Sequence, residues 1–130
     1  MGYDDTALPF STLLGKTLND VQATDDAITF TASDGKLYRM DHTQDCCESV
    51  SVESIVGDLQ DLIGSPITLA EEATSRENPG DAKPETTVYQ DSFTWTFYKL
   101  ATVKGYVDIR WYGGSNGYYS EGVDFYEVKQ

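Results

Sequence analysis

The last third of the chain alternates with the regularity of an antiparallel sheet. In "SFTWTFYKLATVKG" Phe93, Trp95 and Phe97 alternate with Thr94, Thr96 and Tyr98. In "YVDIRWYGG" Val107, Ile109 and Trp111 alternate with Asp108 and Arg110. A period of two, carried by aromatic and β-branched residues, belongs to strands with one face buried. Lys104-Gly105 supplies one turn and "GGSNG" a second, before "YYSEGVDFYEV" places Tyr119, Val123 and Phe125 on one face. The segment therefore reads as a meander with an aromatic core face that includes Phe93, Trp95 and Phe97. Tyr98, Tyr106, Tyr112 and Tyr118 fall on the opposite parity, as a tyrosine-rich binding surface.

The first half adds a hairpin and a helix. "AITFTASDGKLYRMDH" alternates on both sides of Asp34-Gly35, the turn chemistry of a tight hairpin. Tyr38, Met40 and His42 share one face of its return strand, and Leu37, Arg39 and Asp41 the other. In "SVSVESIVGDLQDLIGSP" the residues Ile55, Leu59, Leu62 and Ile63 fall at i, i+4, i+7 and i+8, which predicts a short helix over about 53–64. Ser51 is its expected cap, with Gly64 and Pro66 at its end. The expected class is α+β: antiparallel hairpins covered by one main helix, in a single domain of 130 residues. Residues 1–10 read as a loose leader and 76–91 as a variable loop, rich in proline and charge. Leu13-Leu14-Gly15 followed by Leu18 resembles Leu62-Ile63-Gly64 followed by Ile67, which suggests that a helical turn, a strand and a hairpin occur twice.

Charge narrows the function classes. Twenty-two acids against nine bases give a net charge of −13, and no Lys or Arg stands between Arg39 and Arg76. Such a surface repels nucleic acid and anionic membranes and steers toward basic partners. No apolar run reaches the length of a spanning helix, and the acidic N-terminus is unlike a signal peptide. Adjacent cysteines suit a reducing compartment, so a cytoplasmic protein is expected.

"DHTQDCCESV" at 41–50 holds the single histidine and both cysteines. His42, Cys46 and Glu48 are candidate metal ligands. However, on a strand His42 and Cys46 lie about 13 Å apart, and Cys46 and Cys47 point to opposite faces. Acidic neighbours raise a thiol pKa, which argues against a reactive thiolate. No phosphate loop, dinucleotide fingerprint or nucleophile elbow is present, so neither an enzyme nor a cofactor is implied. The segment reads best as a tight, acid-decorated junction.

The stretches "LLGKTLNDV", "ITFTASDGKLYRM", "QDCCESVSVESIVGDLQDLIGSPITLAEE" and "TWTFYKLATVKGYVDIRWYGGSNGYYSEGVDF" together resemble a family of small uncharacterised phage and prophage proteins, from about residue 12 to 126. Gln44-Asp45-Cys46-Cys47-Glu48-Ser49-Val50 is the most specific part, and "SNGYYSE" the second. Family members usually carry an aromatic before the histidine, where this chain has Asp41. The resemblance implies a bacterial host and supplies no activity to carry over. Three functions are expected from these features. The first is a non-enzymatic acidic protein binding a basic host or phage protein through Asp41, Asp45, Glu48, Glu53, Asp58, Asp61, Glu71 and Glu72, as a nucleic-acid charge mimic or defence inhibitor. The second is a nucleotide-signal binder using Tyr112, Asn116, Tyr118 and Tyr119. The third is a metal protein using His42, Cys46 and Glu48.

Overall fold

The computed structural model describes residues 7–42, 48–75, 92–115 and 121–128. Eight strands form two four-stranded sheets in which every pairing is antiparallel. The strands are β1 (Leu18–Ala23), β2 (Ala27–Ala32), β3 (Leu37–Asp41), β4 (Ser49–Val56), β5 (Leu69–Ser75), β6 (Ser92–Thr102), β7 (Gly105–Ser115) and β8 (Asp124–Val128). The first sheet runs β1-β2-β3-β8 and the second β4-β7-β6-β5. A 3-10 turn precedes each three-stranded meander, at Phe10–Leu13 and at Leu59–Leu62. Helical turn and meander thus occur twice, once per sheet.

The fold is therefore not α+β. Among the described residues strand makes up 65% and helix 8%, with no helix of 7 residues or more. The expected helix over 53–64 is the end of β4 followed by the second 3-10 turn. Val50, Val52, Ile55 and Val56 are β-branched and suit a pleated surface better than a helix. Ser51 lies inside β4 opposite Tyr112, and the turn is capped by Asp58, whose side chain accepts the Gln60 N–H at 2.9 Å.

Between the sheets, Ile28, Phe30, Tyr38 and Met40 of the first meet Leu100, Val107, Ile109 and Trp111 of the second. Trp111 Nε1 donates to Met40 Sδ at 3.3 Å, tying β7 to β3 across the layer. The supposed leader ends early: Ala7 bridges Tyr126, and Phe10 is buried. The Phe10 ring packs 4.7 Å from Tyr98 and 5.3 Å from Phe125.

The parity of β6 is the reverse of the expected one. Its register sets Thr96, Tyr98 and Leu100 opposite Trp111, Ile109 and Val107. Tyr98 is consequently a core residue, fully buried. Phe93, Trp95 and Phe97 lie on the outer face beside Tyr112, where Trp95 is nevertheless fully covered. Tyr112 lies 4.6 Å from the Trp95 ring and the Arg110 guanidinium 5.4 Å from it, a second aromatic layer outside the sandwich.

The Tyr98 hydroxyl donates to Glu72 at 2.9 Å. Burial first, and then the Glu72 carboxylate, push this phenol far above its usual range. The folded protein keeps a proton that the unfolded chain releases near pH 10. Stability should therefore fall as pH rises above about 10. Tyr98→Phe should cost about 1 kcal/mol at neutral pH and flatten that alkaline decline. Urea titrations of both proteins at neutral and alkaline pH measure the two slopes; identical slopes would show that Tyr98 does not set the decline.

Candidate functional site

At one end of the sandwich, two strand ends deliver polar side chains into the interior. His42 directly follows β3, and Glu48 directly precedes β4. Their side chains are 4% and 0% exposed. His42 Nε2 lies 2.8 Å from Glu48 Oε2, and His42 Nδ1 lies 2.8 Å from the carbonyl oxygen of Gly122. Both ring nitrogens thus face oxygen, and the imidazole fastens the entry to β4 to the entry to β8. Unpaired, the buried carboxylate would lose its hydration without compensation.

Beside this pair lies a second buried carboxylate. Glu121 is 7% exposed. It accepts from Ser115 Oγ at 2.5 Å and from Thr94 Oγ1 at 2.8 Å, which satisfies both oxygens from β7 and β6. Gly113 makes room for it. A Cβ there would lie 2.5 Å from the Glu121 carbonyl oxygen and 3.1 Å from Val50 Cγ2. Tyr112 adjoins the cluster, its phenol pushed upward by burial and then by the Glu121 charge.

Chemically the cluster is closed. The imidazole has no nitrogen left to act as a base, and the Ser115 hydroxyl is directed at a carboxylate. No nucleophile–base pair forms among these groups. Among the described residues, no three His, Cys, Asp or Glu side chains gather as a metal site. Cys46 of the expected ligand set lies outside those residues, as do Asp45 and, from the expected ligand-binding hairpin, Asn116, Tyr118 and Tyr119. Tyr112 is half-buried on the outer face, with its ring stacked at 6.1 Å on Phe93.

The acids divide between surface and interior. Asp58, Glu71 and Glu72 are exposed, and Asp61 is half-buried. Glu53 is exposed but paired with Arg110 at 2.8 Å. Asp41 is paired with Arg39 at 2.7 Å and also accepts from the Tyr126 hydroxyl at 2.9 Å. Glu48 does not reach the surface, because its carboxylate belongs to His42. Sequence reasoning missed Glu121, Ser115 and Thr94. The available signal was spacing: His42 precedes Glu48 by six residues, and Ser115 precedes Glu121 by six.

The described residues thus form an antiparallel two-sheet protein with a buried polar cluster at one end. Residues 11–125 match DUF7448, a domain of unknown function, and the chain belongs to that family. Comparison with curated proteins and with solved structures found no match. Among the described residues no helix is long and apolar enough to cross a membrane.

Proposed function

We propose that the protein is a non-enzymatic acidic interaction protein, phage-encoded, that binds a basic host or phage protein in the bacterial cytoplasm. The observation that carries this reading is the surface of the base-free segment between Arg39 and Arg76. There Asp58, Glu71 and Glu72 are exposed, and the segment itself contributes no lysine or arginine, Lys99 of β6 opposite Glu71 being the base beside them. β5 is also the outermost strand of its sheet, and its successive residues Glu71 and Glu72 project to opposite sides. Such a surface attracts a cationic groove from a distance and competes there with nucleic acid. Charge mimicry, or inhibition of a nucleic-acid-binding defence protein, is the form of activity this favours.

The test is salt dependence at defined residues. Affinity for a captured basic partner should fall steeply between about 50 and about 300 mM salt, as screening shortens the range of the field. Glu71→Lys combined with Glu72→Gln, which keeps an acceptor for the Tyr98 hydroxyl, should weaken binding about tenfold. Asp34→Lys, in the first sheet's hairpin turn, serves as the comparison. Binding that ignores both salt and the paired substitution overturns the electrostatic reading.

A further inference from the structure

We infer that the chain is one structural unit present twice about a pseudo-twofold axis, and that Glu48 and Glu121 are the same residue of that unit. Each acts as a positioning residue that closes an equivalent five-residue connection. Four observations lead there, and the first is topological. In each sheet a meander is completed by a fourth strand added to the meander's third: β8 on β3, and β4 on β7. Read as β8, 3-10 turn, β1-β2-β3 and then β4, 3-10 turn, β5-β6-β7, the two halves have one order of elements.

The second observation lies at the turns. Leu13 and Leu62 are fully buried, and Leu18 and Ile67 are 0% and 2% exposed. Gly15 and Gly64 take φ of 82° and 89°, a left-handed conformation open to glycine. The Gly15 N–H donates to the Ile67 carbonyl at 2.9 Å, and the Gly64 N–H donates to the Leu18 carbonyl at 2.9 Å. Donor and acceptor exchange roles between the halves, as they do across an isologous dimer contact. Thr17 and Pro66, the matching positions between them, bridge each other. The third observation is in packing: the first turn rests on β5, the first strand of the other half, and the second touches β1 as well as β6 and β7 of its own half.

The fourth is the polar cluster itself. The residue that ends or follows the third strand, His42 or Ser115, bonds a buried glutamate six positions on, at 2.8 Å and 2.5 Å. His42 also reaches the Gly122 carbonyl, so the two connections meet. Neither glutamate faces solvent. A sandwich as such does not require two connections of one length, each ending on a buried carboxylate bonded to its own starting residue. Duplication of a unit accounts for both. Between these constant anchors the sequences Thr43–Cys47 and Asn116–Ser120 share no residue at matching positions.

Exchange of the two five-residue segments tests the inference on the full chain. The variant carries the residues between Ser115 and Glu121 in the place of those between His42 and Glu48, and the reverse. Two further variants make one replacement at a time. All three should keep a single urea transition with a midpoint within about 0.5 M of the parent. The chain has one histidine, so its ring nitrogen resonances report directly on the His42–Glu48 bond and should stay at their parental positions. Equivalence is overturned if either single replacement fails to fold, or if the variants fold with the histidine resonances of a solvent-exposed ring. A merely tolerant surface loop would preserve the midpoint, but it has no reason to preserve that signature.

Discussion

His42→Ala should destabilise the protein by about 2–6 kcal/mol, because it leaves two buried acceptors without a partner at about 1–3 kcal/mol each. Both ring nitrogens are engaged, so the substitution orphans the Glu48 carboxylate and the Gly122 carbonyl together. With the Glu48 side chain fully buried and that of His42 nearly so, water cannot replace the lost partner without opening the cluster. A substantial share of the whole stability of a domain this size is at stake. His42→Leu combined with Glu48→Met should recover most of the loss, because matched apolar groups leave no charge behind. Urea unfolding of the single and double variants measures both effects. A single variant within about 0.5 kcal/mol of the parent would mean that the pair does not hold the two connections.

Gly113→Ala should cost about 2–3 kcal/mol by overpacking. Its Cβ would press on the Glu121 carbonyl oxygen, which is backbone, and on Val50 of the neighbouring strand. Relief requires moving residues 121 and 122, and the Gly122 carbonyl holds His42. The damage should therefore spread to the histidine, and the variant's ring nitrogen resonances should shift along with its urea midpoint. A lowered midpoint with unmoved resonances would separate the two halves of the cluster. An unchanged midpoint would show that the site has slack.

Strands β2, β3, β6 and β7 were legible because alternation is a direct image of one-sided burial, whereas β1 was not read as a strand. Nor was β4, and its bulge explains why. Pairing with β7 slips between Val52 and Ser54, so the inward residues fall at 50, 52 and 55 and the period of two is broken. What remains in the sequence, Ile55 with Leu59, Leu62 and Ile63, imitates a helical stripe. In β6 both parities carry large apolar or aromatic groups, and only the register with β7 decides which face is covered. The site was half legible. His42 and Glu48 stood out through the motif around them. Glu121, by contrast, is one acid among 22, and nothing in composition reports that its carboxylate is buried between two hydroxyls.

The two tryptophans occupy the two sides of one sheet. Trp111 faces inward and donates its indole N–H to Met40 of the opposite sheet. Trp95 faces outward, under Tyr112 and Arg110. The protein thus carries two intrinsic fluorophores in separate environments. Light from Trp111 reports whether the sheets remain in contact, and light from Trp95 reports whether the outer aromatic layer remains closed. With either replaced by phenylalanine, emission from the other follows its own layer through unfolding or through the arrival of a partner.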